Sequence, residues 1–124
     1  MTGRADVSGV GPAVVVRTET AGDHAGIRRV NEAAFGTSEE ADLVEALRTE
    51  GGVLLSAIAT VGDEIVGHVL FSRMSIDTGG GDVDSVALAP MAVVPAWQRQ
   101  GIGGRLIRYG LDRVRQDGER IGIV

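Results

Sequence analysis

The chain has 124 residues, of which 44% are hydrophobic and 23% charged, with a formal net charge of −5 and no cysteine. This size and composition predict one globular domain. The acidic balance argues against a nucleic-acid partner, because phosphate backbones are bound by clustered Lys and Arg. The lack of cysteine excludes disulfides, thiolate nucleophiles and cysteine-based zinc sites, and no metal site is predicted.

Apolar runs such as residues 53–61 are too short to cross a membrane. Residues 1–12 lack the apolar segment of a signal peptide. We therefore expect a cytoplasmic protein without a membrane partner.

Strand and helix patterns alternate along residues 13–124, which we interpret as one domain preceded by a flexible tail at residues 1–12. Because proline lacks the N–H that a central strand needs, Pro90 predicts a bulge in one of the strands. Another pair of strands flanks Gly62-Asp63, a dipeptide typical of hairpin turns. β-branched and apolar runs predict four strands, at residues 13–18, 53–60, 64–73 and 83–94.

Three helices are predicted from apolar residues at helical spacing. The first would be capped by Asp23 and end near Gly36. The second would be capped by Ser38 and stopped by Gly51. The third follows a glycine-rich loop, and its inward stripe comprises Leu106, Ile107, Tyr109, Gly110 and Val114.

The glycine-rich loop between the fourth strand and the third helix is the most informative motif. Gln98, Gly101 and Gly103 have the spacing Q-x-x-G-x-G. A helix N-terminus presents unpaired N–H groups and partial positive charge, and glycine lets a phosphate approach the backbone. The motif therefore predicts a site for a pyrophosphate-bearing ligand; the alternative is that the glycines only form a tight turn. A dinucleotide fingerprint is excluded because Leu106 stands where its third glycine is needed, and a P-loop is excluded because Gly-Lys-Ser/Thr is absent.

The element order β-α-α-β-β-β-α-β, with this loop after the fourth strand, resembles the GNAT superfamily of acetyl-CoA-dependent N-acetyltransferases. The resemblance extends from residue 13 to the end and is sharpest at residues 88–104. Residues 35–51 and 66–72 further resemble its YhbS-like bacterial branch. The implied fold is α/β (α+β), with a mixed, mostly antiparallel central sheet flanked by helices.

The resemblance implies that acetyl-CoA is the cofactor and that an amine is the acceptor. Backbone amides of residues 98–104 would bind the pyrophosphate of coenzyme A, and the free main-chain groups of Met91 and Val93 would pair with its pantetheine arm. Arg99, Arg105 and Arg108 either contact the phosphates or form a solvated helix face. The cofactor-binding residues implied are Met91, Ala92, Val93, Gln98, Arg99, Gln100, Gly101, Ile102, Gly103 and Gly104.

Acetyl transfer to an amine requires a base that removes the proton of the ammonium group. Many members of the superfamily use a carboxylate of the fourth strand, but residues 86–98 contain none. Asp84, Ser85 and His68 are therefore the catalytic candidates. A histidine inside a strand is also typical of a packed core residue. The backbone N–H near Val93 would polarise the thioester carbonyl.

Members of the superfamily continue past the fifth strand, whereas this sequence ends in the apolar run 120–124, which predicts a strand. We therefore expect a GNAT domain at residues 13–124 that is incomplete at its C-terminus, with an exposed sheet edge at which a homodimer could form. Two functions follow. The first is N-acetyl transfer to a primary amine of a small molecule or protein by direct attack on the thioester. The alternative is a non-catalytic acyl-CoA-binding or dimerising module built on the same fold.

Overall fold

The computed structural model describes residues 13–77 and 82–116. The predicted tail at residues 1–12 and the predicted strand at residues 120–124 lie outside the described residues.

Four strands form one antiparallel sheet in the order β1-β2-β3-β4, so each strand pairs with its neighbour in the chain. Within the described residues, β1 and β4 are the outer strands and β2 and β3 are central. All four predicted strands are present. They comprise β1 at Val14–Thr18, β2 at Val53–Val61, β3 at Glu64–Asp77 and β4 at Asp82–Val93.

Three α-helices cover the two faces of the sheet: α1 at His24–Phe35, α2 at Glu39–Glu50 and α3 at Ile102–Gln116. Buried side chains of α1 and α2 pack with Ile58, Ile65 and Ala92 on one face. On the other face, α3 packs against Ala57, Ala59, Val69 and Phe71 through Ile102, Leu106 and Val114. The sheet is thus the middle layer of a three-layer fold, and burying apolar side chains on both of its faces stabilises it.

Both predicted helix stops are confirmed, because Gly36 and Gly51 end α1 and α2 in the left-handed conformation, at φ 76° and 78°. Asp23 and Ser38 occupy the N-cap positions of α1 and α2, as predicted. The side chains of Asp23 and Ser38 make no capping hydrogen bond to α1 or α2. Asp23 accepts hydrogen bonds from the main-chain N–H of Thr20 and from Arg17 instead.

The hairpin at Gly62 and the irregularity at Pro90 are both confirmed. Gly62 takes φ 60° in the turn between β2 and β3. The β3–β4 register shifts between the pairs Val69–Met91 and Phe71–Leu88. This shift places a bulge at residues 89–90, next to the end of β4 that leads to the glycine-rich loop.

Candidate functional site

A cavity of about 280 Å³ opens where α1, β4 and the turn into α3 converge. Its wall is mainly apolar, and the glycine-rich loop closes one end of it. The lining residues are Ala34, Phe35, Met91, Ala92, Val93, Trp97, Gln98, Arg99, Gly101, Ile102 and Gly103.

The N-terminus of α3 supplies hydrogen-bond donors at this cavity. The first helical hydrogen bond of α3 runs from the N–H of Arg105 to Gly101 O, at 3.1 Å. The N–H groups of residues 102–104 therefore have no intrahelical acceptor. Gly101 and Arg99 both take left-handed backbone conformations, at φ 81° and 66°. Arg99 is not glycine, so this conformation costs about 1 kcal/mol. Such strain is typical of loops shaped for binding.

Gly103 leaves room for the side chain of Met91 to pack against this helix end. A Cβ atom at position 103 would lie 3.1 Å from both Sδ and Cε of Met91. The thioether of Met91 therefore lies directly over the first turn of α3. The N–H groups of the turn, which have no intrahelical acceptor, fit the approach of an anionic group.

The outer edge of β4 supplies main-chain groups to the same cavity. The N–H of Val94 donates to Val66 O at 2.9 Å, toward β3. Main-chain groups alternate in direction along a strand, so those of Met91 and Val93 face the outer edge. The side-chain amide of Gln98 donates to Val93 O at 2.9 Å. One outward carbonyl is therefore already bonded. Within residues 13–77 and 82–116, no hydrogen bond engages the N–H of Val93 or the main-chain groups of Met91, so these groups can pair with a ligand.

Two guanidinium groups lie near the helix end. Arg99 lines the cavity, and Nη1 of Arg108 lies 3.3 Å from where a Cβ atom of Gly104 would be. Both side chains belong to exposed residues. They add positive charge beside the unpaired N–H groups, which is the electrostatic arrangement that phosphates prefer.

The three catalytic candidates occupy different parts of the sheet. Asp84 and Ser85 lie on β4 opposite Ser75 and Met74, about 20 Å along the strand from Met91 at the usual rise per residue. His68 lies opposite Ala92, which lines the cavity, but its own side chain is completely buried. A catalytic role for any of the three stays a prediction.

His68 belongs to a chain of hydrogen bonds between the sheet and α1. Asn31 Nδ2 donates to His68 Nδ1 at 3.2 Å and to Ile27 O at 3.0 Å. The remaining nitrogen, Nε2, lies 2.9 Å from Ser56 Oγ, and Ser56 in turn bonds to Glu19. These partners assign the proton of a neutral imidazole to Nε2. Both ring nitrogens are therefore occupied by other side chains.

Burial lowers the pKa of His68 from 6.5 to about 4, partly offset by the nearby negative charge of Glu19. Glu19 itself is held by Arg48 at 2.7 Å and by His24 at 2.9 Å. Burial alone would raise the pKa of Glu19, but hydrogen bonds from Arg48 and Ser56 outweigh burial and lower that pKa below 4.5. The network thus favours a neutral histidine beside an ionised carboxylate.

Several residues around the site were not predicted from the sequence. Ala34 and Phe35 line the cavity from the last turn of α1, and Asn31 lies one helical turn before them. One signal was available: Asn31 lies on the apolar stripe of its helix with Ile27 and Val30, where a polar side chain needs a buried partner.

Among the described residues, no group of three His, Cys, Asp or Glu side chains could hold a metal ion. In the same part of the chain, none of the helices has the length and apolar character required to traverse a lipid bilayer.

The fold and the loop geometry agree with a match to a family of known proteins. Residues 15–124 match the acetyltransferase (GNAT) domain. The chain belongs to the GNAT acetyltransferase family, and the predicted resemblance is confirmed.

Two bacterial relatives carry the same family name. The chain is 43% identical over 98 residues to the uncharacterized N-acetyltransferase YjhQ of Escherichia coli strain K12. This alignment covers 75% of this chain and 52% of YjhQ. The chain is 33% identical over 106 residues to the uncharacterized N-acetyltransferase YhbS of the same strain, which covers 85% of this chain and 62% of YhbS. The chain therefore spans between about half and two thirds of the length of these relatives.

Solved structures confirm the predicted fold class. A GNAT family acetyltransferase from Brucella melitensis, crystallised in complex with acetyl-CoA, has a TM-score of 0.82 and 38% identity, over 91% of this chain and 75% of that one. YhbS from Escherichia coli, crystallised in complex with CoA, has a TM-score of 0.79 and 31% identity, over 91% of this chain and 62% of that one.

Proposed function

We propose that this chain binds acetyl-CoA in the cavity between β4 and α3 and transfers the acetyl group to a primary amine. The observation that carries the proposal is the first turn of α3, which lines the cavity with Ile102 and Gly103 and leaves the N–H groups of residues 102–104 without intrahelical acceptors. The complexes of the Brucella and Escherichia relatives with acetyl-CoA and CoA support the choice of ligand.

The residues have distinct roles in this proposal. Main-chain amides of residues 99–104, including Gln100, bind the pyrophosphate, and Arg99 and Arg108 neutralise phosphate charge. The main-chain N–H of Gln98 donates to Pro95 O at 3.4 Å instead, and Gln98 supports the loop through the hydrogen bond of its side chain to Val93 O. The outward main-chain groups of Met91 and Val93 hold the pantetheine arm, with Ala92 between them packed toward α1. Bound acetyl-CoA supplies the acetyl group as an activated thioester. The acceptor is a small molecule or a protein with a free amine, and a cytoplasmic location and a homodimer remain predictions.

Calorimetric titration of acetyl-CoA into the chain tests the cavity. We expect binding by the unmodified chain and none by Gly103→Glu, because the new side chain and its negative charge occupy the phosphate site. The matched control is Gly22→Glu, which adds the same charge at a glycine with no atom within 4 Å of a Cβ position. Unchanged affinity in a folded Gly103→Glu variant contradicts the proposed position of the cofactor.

Turnover is tested separately from binding. Thiol release from acetyl-CoA, followed with a panel of small amines and peptides, distinguishes the acetyltransferase from the alternative binding module. Release that depends on the amine supports acetyl transfer. Tight binding without release across a broad panel supports a non-catalytic acyl-CoA-binding protein.

A further inference from the structure

We propose that Met91 is a reversible oxidation site whose sulfoxide blocks the N-terminus of α3. Its effect on acetyl-CoA rests on the proposed function, whereas the placement of the sulfoxide can be tested without any ligand. The oxidant is a peroxide.

The thioether of Met91 combines accessibility with a specific contact. Met91 is 37% exposed and is one of the exposed large apolar residues of the described chain, together with Val15, Phe35 and Leu43. Met91 lines the cavity, and its sulfur and methyl carbon each lie 3.1 Å from where a Cβ atom of Gly103 would be. We expect a dissolved oxidant to reach this side chain from the cavity without unfolding the protein.

The oxidation step is balanced with hydrogen peroxide alone. A lone pair of the Met91 sulfur attacks one peroxide oxygen, the O–O bond breaks and an S–O bond forms. The sulfur loses two electrons, and the departing hydroxide takes a proton to become water. The product is methionine sulfoxide, which methionine sulfoxide reductases convert back to methionine.

The new oxygen changes the chemistry of the helix end. A thioether is a weak hydrogen-bond acceptor, whereas a sulfoxide is polar and places a negatively polarised oxygen beside the unpaired N–H groups of residues 102–104. Those groups favour an oxygen with negative charge. The oxidised side chain therefore occupies the donors that a pyrophosphate needs, and reduction releases them.

The experiment compares untreated and peroxide-treated protein. Peptide mass mapping identifies which of the three methionines gains oxygen, and amide NMR follows Gly103 and Gly104. We expect oxidation at Met91, shifted amide resonances of these two glycines, and an acetyl-CoA Kd raised by at least about tenfold, the size of one lost hydrogen bond. Treatment with methionine sulfoxide reductase should restore both readouts.

The matched variant is Met91→Leu, which keeps the volume of the side chain and removes the sulfur. Whatever its affinity before treatment, peroxide should leave that affinity and the two glycine amides unchanged. Oxidised Met91 without shifts at Gly103 and Gly104, or a Met91 that stays reduced while other methionines are oxidised, overturns the inference. If the untreated protein binds no acetyl-CoA but the amides shift on oxidation, the proposed function fails and the placement of the sulfoxide is supported.

Discussion

Gly110 allows α3 to approach the sheet more closely than any other residue would. A Cβ atom at this position would overlap the aromatic ring of Phe71, which is completely buried on β3. Phe71 cannot withdraw, because the apolar core of the α3 face surrounds it. The glycine therefore fixes the distance between helix and sheet.

Replacing Gly110 by Ala is expected to destabilise the protein by about 1–3 kcal/mol, since an extra carbon in a packed core forces side chains and backbone to shift. The free energy of unfolding from urea titration measures the effect. Gly104→Ala is the matched control in the same helix. Its Cβ would meet only the flexible end of Arg108, so the higher helix propensity of Ala should leave stability equal or raised by up to about 1 kcal/mol. Equal effects of both substitutions would contradict the packing argument.

Arg99 shows where residue-level prediction succeeded and where it stopped. The Q-x-x-G-x-G spacing predicted a loop that opens α3, and the structure has this loop. The left-handed conformation of Arg99 was not predicted, because that region is unfavourable for any residue with a Cβ atom. Only the surrounding loop imposes it.

At the level of elements, β1 and α3 are joined by one hydrogen bond between side chains. Thr18 Oγ1 and the hydroxyl of Tyr109 lie 2.8 Å apart, and the guanidinium of Arg113 lies 5.8 Å from the centroid of the Tyr109 ring. β1 pairs with β2 alone among the described strands, so this bond is an additional anchor for an outer strand.

Tyr109→Phe should lower the free energy of unfolding by about 1 kcal/mol, the usual net value of one hydrogen bond. Most of this loss comes from the bond to Thr18, because the second bond to the same hydroxyl, from Arg113 Nη1 at 3.4 Å, is long and exposed. Thr18→Val should cost a similar amount, and the double variant no more than about the larger single loss, because both changes remove the same bond. The double-mutant cycle is read from urea unfolding of the four proteins. Fully additive losses would show that the two hydroxyl groups do not stabilise each other.

The elements were more predictable than their caps and contacts. Strands and helices can be predicted from the spacing of apolar residues, because this pattern extends over many neighbouring residues of the sequence. A helix cap depends on the orientation of a single side chain. The carboxylate of Asp23 accepts a hydrogen bond from Arg17, a residue of β1, and does not cap α1. A contact across the fold therefore overrode a local preference.

The candidate site was predictable only where it is contiguous in sequence. Residues 91–104 form one continuous segment that contains the end of β4, the turn and the start of α3. The opposite wall comes from Ala34 and Phe35, more than fifty residues earlier in the sequence. The network of Asn31, Ser56 and His68 likewise joins three separate elements, so no local spacing indicates it.

The whole molecule should lose stability as the pH falls, because it folds around a neutral His68. The pKa of a histidine side chain is ordinarily 6.5 and that of His68 is about 4 in the fold, so the folded protein binds fewer protons than the unfolded chain. Its stabilising contribution is complete above pH 6.5 and is lost as the pH falls toward 4. The lowered pKa of Glu19 acts in the same direction, but only below 4.5.

Between about pH 7 and pH 5, we therefore expect the free energy of unfolding to fall by roughly 2 kcal/mol from His68 alone. Urea titrations at the two pH values measure this loss, and His68→Gln, which cannot titrate, should show a much smaller one. An NMR titration of the imidazole in the unmodified protein gives an independent test if the variant does not fold. An imidazole pKa near 6.5 in the folded protein would contradict the expectation.

The hydrogen bond from Gln98 to Val93 O has a consequence for the energetics of binding. It ties the loop before α3 to the end of β4, so two walls of the cavity are joined before any ligand arrives. Ordering a loop costs conformational entropy, about 1–2 kcal/mol for each residue fixed. In this molecule folding has already borne much of that cost, and a ligand entering the cavity meets a preorganised loop. Affinity can then depend on the quality of the contacts, with little lost to immobilising the protein.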